Sequence, residues 1–224
     1  TSTGLVTPGI VTDNLVLKHN YAAGGVVPVS DGAVYFQQAN DDNISITETT
    51  LTTSGNCSIM FWYKHAAGST AWAVLGHTSE TNEKHLRFLN SDGKLKLESN
   101  TGNDIASITL NSSYSDNQWH HYAVICTSAT ITAYQDGVSL AVSNPGMSDD
   151  TTINLIGAQG SDGDSYNLDG YLCNLGTWTA ALTQAQIKSI MWKKYGDLTD
   201  SDKDAGATGN SNLVSWWNLS ADAN

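Results

Sequence analysis

Charged side chains are few in this sequence, and arginine is almost missing. Charged residues make up 14% of the 224 residues, Arg87 is the single arginine, and the formal net charge is −12. A protein that follows a phosphate backbone needs a basic face to displace counterions, so this balance argues against nucleic-acid binding. It disfavours an anionic membrane surface for the same reason. Ser, Thr, Asn and Gly replace the charges, which suits a secreted or virion protein.

Cysteine and long apolar runs are also scarce. The three cysteines, Cys57, Cys126 and Cys173, lie in apolar runs and form no Cys-x-x-Cys pair. Buried free thiols explain them, and one disulfide with one free thiol is the alternative. No apolar run approaches the roughly 18 residues of a membrane span, and no signal-peptide pattern is present. Because the chain starts at Thr1, we expect a processed piece of a longer polypeptide.

Only three prolines are present, and helix-like spacing of apolar residues is nearly absent. Short alternating or fully apolar runs, divided by Asp-Gly and Asn-rich turns, predict β-strands instead. The run 57–63 is apolar on both faces, which is typical of a central strand. In 94–98, the leucines are expected to face inward and the charges outward. The predicted strands are 15–19, 33–36, 44–47, 57–64, 71–76, 85–89, 95–98, 105–110, 119–127, 130–135, 153–157, 171–178 and 213–219.

The segment 182–196 departs from this pattern. Thr183 and Gln186 have the spacing of a capping box, and the apolar residues that follow share one helix face. We predict a short helix near 183–195 and a polar loop over 197–212.

A dozen or more short strands with one short helix predict an all-β fold, a two-sheet antiparallel jelly-roll sandwich. We expect one sandwich domain over residues 13–219. It is preceded by an N-terminal segment, 1–12, and followed at 220–224 by a tail or the start of a further segment.

Several motifs resemble the laminin-G-like domains of the concanavalin A-like lectin/glucanase superfamily. The run "WHHYAV" at 119–124, a strand, and "AYQDG" at 133–137 are similar to a hairpin of that family. "CSIMFWYK" at 57–64 and the closing stretch 168–187 match in the expected order. The resemblance implies a concanavalin A-like sandwich. Some members hold a structural calcium through an acid in the closing segment, where this chain has Cys173 and Asn174, so that ion is not expected.

Catalytic chemistry finds little support in the residues. His120 and His121 are neighbours on a predicted strand, so they face opposite sides and cannot easily chelate one metal. Trp119 beside them is predicted to plug the end of the sandwich. Retaining glycoside hydrolysis needs two carboxyls ~5.5 Å apart, but the four glutamates show no Glu-x-Asp-x-Glu pattern. We therefore expect no enzyme and no catalytic residues.

Two sets of residues are candidates for binding. Asp162 and Asp164 lie in an oxygen-rich loop that would suit calcium, with Asp42 as a further candidate, although solvated turns explain these residues as well. No cofactor is otherwise expected. The second set is aromatic, because a tryptophan left over from the core can stack on a sugar or anchor a partner. Its members are Trp192, Trp217 and Trp72.

The leading functional prediction is a non-enzymatic structural or interaction module of a virion, such as a capsid decoration, fibre or knob, that contacts a host surface. Residues 13–36 resemble laminin-G-like structural proteins of marine bacteriophages. The alternative is a carbohydrate-binding module of a secreted bacterial protein. Expected partners are other virion proteins or the rest of the polypeptide, with a cell-surface glycan as a further candidate. A homo-oligomer is expected, whereas nucleic acid and membrane are not.

Overall fold

The structure is a computed structural model that describes residues 27–65, 73–79, 85–89, 93–98, 104–143, 150–160, 167–205 and 211–220. Its strands are β1 (Val34–Phe36), β2 (Ile44–Leu51), β3 (Cys57–His65), β4 (Ala73–Gly76), β5 (His85–Leu89), β6 (Lys94–Glu98), β7 (Asp104–Thr109), β8 (Trp119–Cys126), β9 (Ile131–Gln135), β10 (Val138–Ser139), β11 (Ala141–Ser143), β12 (Thr151–Ile156), β13 (Gly170–Trp178) and β14 (Leu213–Trp217). The helices are α1 (Gln184–Ile190), α2 (Asp200–Lys203) and two 3₁₀ turns, Gln38–Asn40 and Tyr195–Asp197.

The strands form two antiparallel sheets of seven strands each. Sheet A has the order β1-β13-β3-β8-β9-β10, with β14 also paired to β13, and sheet B has the order β11-β7-β6-β5-β4-β12-β2. The predicted all-β, two-sheet sandwich is therefore confirmed. The strand predicted at 15–19 lies outside the described residues. Among the described residues, no helix is long and apolar enough to cross a membrane.

The central strand β3 of sheet A is buried on both faces over residues 57–63, which explains its fully apolar run. Ile59, Phe61 and Tyr63 point into the inner core between the two sheets. Met60 and Trp62 alternate with them and point into an outer core on the other face. Side chains of α1 and of the segment after it complete the outer core, so a strand with two apolar faces needs no solvent-facing side here.

The capping box predicted at Thr183 is present. Its side chain accepts from the backbone N–H of Gln186, and the Gln186 side chain accepts from the backbone N–H of Thr183. The helix ends at Ile190 and is shorter than predicted. A second, four-residue helix interrupts the stretch predicted as loop, because Thr199 and Asp202 form another capping box. The spacing Thr-x-x-Asp was a visible signal for it.

Two further details test the strand patterns. Asp136 and Gly137 both have positive φ, 53° and 73°, and join β9 to β10 as a two-residue hairpin turn, as the Asp-Gly pair predicted. The outward position predicted for Glu98 does not leave its side chain in solvent. Glu98 is 3% exposed, and the guanidinium of Arg87, on the neighbouring strand, donates to it at 2.7 Å.

All three cysteines are free and buried in the structure. Cys57 and Cys126 lie opposite each other on β3 and β8 and face the inner core, and Cys173 faces the outer core. The expectation of buried free thiols is confirmed.

Candidate functional site

The outer face of sheet A is open along one row of residues at its end. The strand register places Tyr35 beside Tyr171, Tyr171 beside Lys64, and Lys64 beside Trp119. These four residues on β1, β13, β3 and β8 are called the aromatic ridge below. At the usual strand spacing, the ridge is roughly 14 Å long.

The next row of the same face is covered by the chain itself. Cys173, Trp62 and His121 lie side by side there, two residues along their strands from the ridge. The indole N–H of Trp62 donates to the carbonyl of Met191 at 2.7 Å, and its ring lies 5.2 Å from the ring of Trp192. The segment after α1 therefore stops one row short of the ridge and forms a step beside it.

The rings of the ridge are held against one another. Tyr35 and Tyr171 stack with 4.6 Å between ring centroids and 24° between planes. On the other side of Tyr171, the Lys64 ammonium lies 6.0 Å from the ring centroid and the Trp119 ring lies 6.3 Å away. The ridge therefore presents ring edges, two phenol hydroxyls and one ammonium to solvent, an amphipathic surface that is already ordered.

Exposure sets the two tyrosines apart from the aromatic residues of the cores. Tyr35 is 40% exposed and Tyr171 is 38% exposed. Neither phenol hydroxyl makes a hydrogen bond to the part of the chain that the structure describes. Buried aromatic residues normally satisfy their polar groups internally, and Tyr63 and Trp178 do so, donating to the carbonyls of Asp169 and Asp202.

Local sequence explains how the ridge forms. In β1, Tyr35 alternates with the inward-facing Phe36 and so must point outward. Gly170 opens β13 with φ of 139°, and a Cβ there would collide with the carbonyl oxygen of Lys64. Glycine at this position lets β13 approach β3 closely enough to bring Tyr171 beside Lys64.

The adjacent histidines have different surroundings. The two ring nitrogens of His120 lie 2.7 Å from Asp136 and 3.0 Å from Asp116. Burial lowers the pKa of His120, but the hydrogen bonds to the two carboxylates outweigh it and raise the pKa above the ordinary 6.5. His121 is fully enclosed against Trp62, and burial lowers its pKa to about 3. The two rings point to opposite faces, as predicted.

The structure places two of the three predicted tryptophans. Trp192 is half-buried on the outer core and forms the step beside the ridge. Trp217 is half-buried against the inner core, and its neighbour Trp216 packs on the outer core. Trp72 lies outside the described residues. The binding role of these three residues stays a prediction. Trp119 does not plug the sandwich end, because it is half-buried on the outer face of sheet A.

The predicted metal ligands are not brought together in the described residues. Asp162 and Asp164 lie outside them. Asp42 is half-buried and accepts a hydrogen bond from the backbone N–H of Gln37 at 2.9 Å. Among the described residues, no group of three or more side chains could hold a metal ion. At the position of the family's acid, Asn174 donates to the carbonyls of Val29 and Lys193.

Comparison with known proteins agrees with this architecture. The family model Laminin_G_3 matches residues 38–188. The chain belongs to the concanavalin A-like lectin/glucanases superfamily. This laminin-G-like, lectin-like sandwich has no match among curated proteins. A "putative carbohydrate binding protein" from Bacteroides ovatus has a similar fold, with a TM-score of 0.60 and 15% identity over 88% of this chain. The match covers 53% of that protein, so the chain spans about half its length.

Two further solved structures match this superfamily member with lower TM-scores. A heptameric SAP-like pentraxin from Limulus polyphemus matches with a TM-score of 0.49 and 17% identity, over 78% of this chain and 84% of the pentraxin. A sialidase from Trypanosoma rangeli matches with a TM-score of 0.47 and 12% identity, over 62% of this chain and 23% of the sialidase.

The ridge could not be predicted directly from the sequence. Tyr35 and Tyr171 are far apart in the chain, and each sits in a run that is read as an ordinary strand. The alternation around Tyr35 showed that its ring points outward. The pairing of β1 with β13, which places the second tyrosine against the first, required the three-dimensional register.

Proposed function

We propose that this laminin-G-like module binds glycans without catalysis, and that the aromatic ridge is its binding surface. The observation that carries the proposal is the exposed, pre-stacked tyrosine pair. Unlike the aromatic residues of the two cores, Tyr35 and Tyr171 are more than a third exposed, and neither hydroxyl has a hydrogen bond within the described part of the chain.

The chemistry of the ridge suits a sugar. A pyranose ring has apolar C–H faces bordered by hydroxyls, and a tyrosine offers an apolar ring that ends in a hydroxyl. Aromatic residues give a large contact area and lose little conformational entropy on binding. Because Tyr35 and Tyr171 already restrain each other at 4.6 Å, a ligand does not need to order them.

The positions of the glutamates support a role without hydrolysis. Glu48 lies on β2 and Glu98 on β6, four strand spacings apart in sheet B. That separation is about 19 Å at the usual spacing. Retaining and inverting glycosidases need carboxyls roughly 5 to 9.5 Å apart. In addition, Glu98 is buried and paired with Arg87. Glu80 and Glu83 fall outside the described residues.

A glycan array on the purified full chain, followed by calorimetry on the glycans retained, tests the proposal. Tyr171→Ala should weaken binding about tenfold or more, as expected for loss of a central aromatic contact. Tyr195→Ala is the matched control, because Tyr195 is 46% exposed and also has a lysine beside its ring. It should bind like the wild type.

Two results would reject the proposal: an array with no retained glycan, or Tyr171→Ala binding as well as the wild type. A role in a virus particle stays a prediction from the sequence. A chain that retains no glycan but self-associates in analytical ultracentrifugation would favour that role.

A further inference from the structure

The ridge contains a positive charge, that of Lys64, which has no ion pair within the described residues. Acidic residues outnumber basic ones by 22 to 10, so a carboxylate is easy to find in this chain. Arg87, Lys193 and Lys194 each contact one at 2.7, 2.7 and 2.6 Å. Lys64 forms no ion pair with any carboxylate in the described part of the chain.

The position of Lys64 is central in the ridge. It lies on β3, between Tyr171 on one side and Trp119 on the other. The side chain is half-buried, and its ammonium is beside the Tyr171 ring at 6.0 Å from the centroid. A ring face attracts the cation but accepts no conventional hydrogen bond from its three N–H donors. A ligand lying along the ridge would therefore meet both aromatic carbon and a free ammonium.

We propose that the ridge selects acidic glycans, and that Lys64 binds the carboxylate or sulfate group of an internal sugar unit. This inference rests on the proposed function, because it assigns the class of glycan bound at the same surface. A charge-assisted hydrogen bond from an ammonium to an oxyanion is about twice as strong as a neutral one. Lys64 lies inside the row and away from both ends, so the anionic group belongs to a unit within the glycan chain.

The overall charge of the protein makes this selection local. With a net charge of −12, the chain repels a polyanion at long range. General electrostatic attraction therefore cannot produce a preference for acidic glycans, and only a specific cation can. The preference should consequently disappear when Lys64 alone is neutralised.

Matched pairs of oligosaccharides provide the test. An oligogalacturonate and its methyl ester differ only in the charge of the carboxyl groups, and a sulfated galactan and its desulfated form differ only in the sulfate. In calorimetry with the full chain, at least one acidic member should bind roughly tenfold tighter than its neutral partner. The arm that shows the preference identifies carboxylate or sulfate as the group recognised.

Lys64→Gln should abolish the preference, so that this variant binds the acidic member and its neutral partner with equal affinity. Lys203→Gln is the control, because Lys203 lies 5.1 Å from the ring of the exposed Tyr195. It should keep the full preference. Equal affinity for both members of each pair, or a preference retained in Lys64→Gln, overturns the inference. If Tyr171→Ala still weakens binding in that case, the proposed glycan function stands without it.

Discussion

The outer face of sheet A contains two groups of aromatic residues that differ in solvent exposure. Trp62 and Trp178 are covered by α1 and the residues around it, and both are 1% exposed. Tyr35 and Tyr171 lie on the same face and are more than a third exposed. Aromatic residues lie along the whole outer face of sheet A. Those that the C-terminal segment covers are buried in the outer core, and the others remain exposed. The row that contains Tyr35 and Tyr171 stays exposed.

The largest effect is expected in the covered part. Trp178→Ala should lower the free energy of unfolding by ~3–5 kcal/mol, because a buried tryptophan leaves a large cavity and the carbonyl of Asp202 loses its indole donor. Urea denaturation followed by circular dichroism measures it. Tyr171→Ala, in the open row, should cost less than half as much. Equal losses in the two variants would contradict the distinction between core and ridge.

The attachment of the covering segment gives the next effect. The Ser58 hydroxyl donates to the carbonyl of Ala180 at 2.6 Å and accepts from the backbone N–H of Leu182 at 2.9 Å. Ser58→Ala leaves both backbone groups without this partner, and it should cost ~1–3 kcal/mol in the same denaturation experiment. Ser139→Ala, at an exposed position on β10, is the control and should change little.

The two adjacent histidines should affect stability in opposite directions as the pH changes. The raised pKa of His120 means that its charged form stabilises the fold. That contribution is complete below pH 6.5 and is lost as the pH rises through the raised value. The lowered pKa of His121, about 3, has the opposite effect. Below pH 6.5, His121 is protonated in the unfolded chain but stays neutral in the folded chain. The free energy of unfolding therefore decreases as the pH falls.

Thermal melts from pH 5 to 9 separate these effects. His120→Gln should destabilise the protein most at low pH and least at high pH. His121→Gln should cost most above pH 6.5, and its difference from the wild type should shrink as the solution becomes acidic. Parallel pH profiles for the two variants would show that the two rings do not differ in this way.

The smallest expected effect is that of calcium. Cys173 is buried and Asn174 donates to two carbonyls where the family's acid would be, so we predict that melting curves in EDTA and in millimolar calcium coincide. A ligand of the native state would raise the melting temperature through its binding free energy. A clear upward shift with calcium would point first to Asp162 and Asp164 and then to Asp42.

Local patterns predicted the local structure. The alternation of β1, the capping box at Thr183 and the Asp136–Gly137 turn each depend on residues close in sequence, and all three are present. The exposure of Tyr171 and the burial of Glu98 depend on partners in other strands. Periodicity gives the face on which a side chain lies, but it does not show whether a distant segment covers that face.

The three free cysteines allow the opening of the inner core and of the outer core to be followed separately by the rate of thiol labelling. A thiol reacts with alkylating reagents as thiolate, and burial raises the pKa of all three thiols, to about 12 for Cys126 and Cys173. Labelling at neutral pH therefore requires the protein to open. Release of the segments that cover the outer face of sheet A would expose Cys173, whereas Cys57 and Cys126 become accessible only when the two sheets separate. The native chain thus contains two thiol reporters in the inner core and one in the outer core, and their labelling rates give the order in which the cores open.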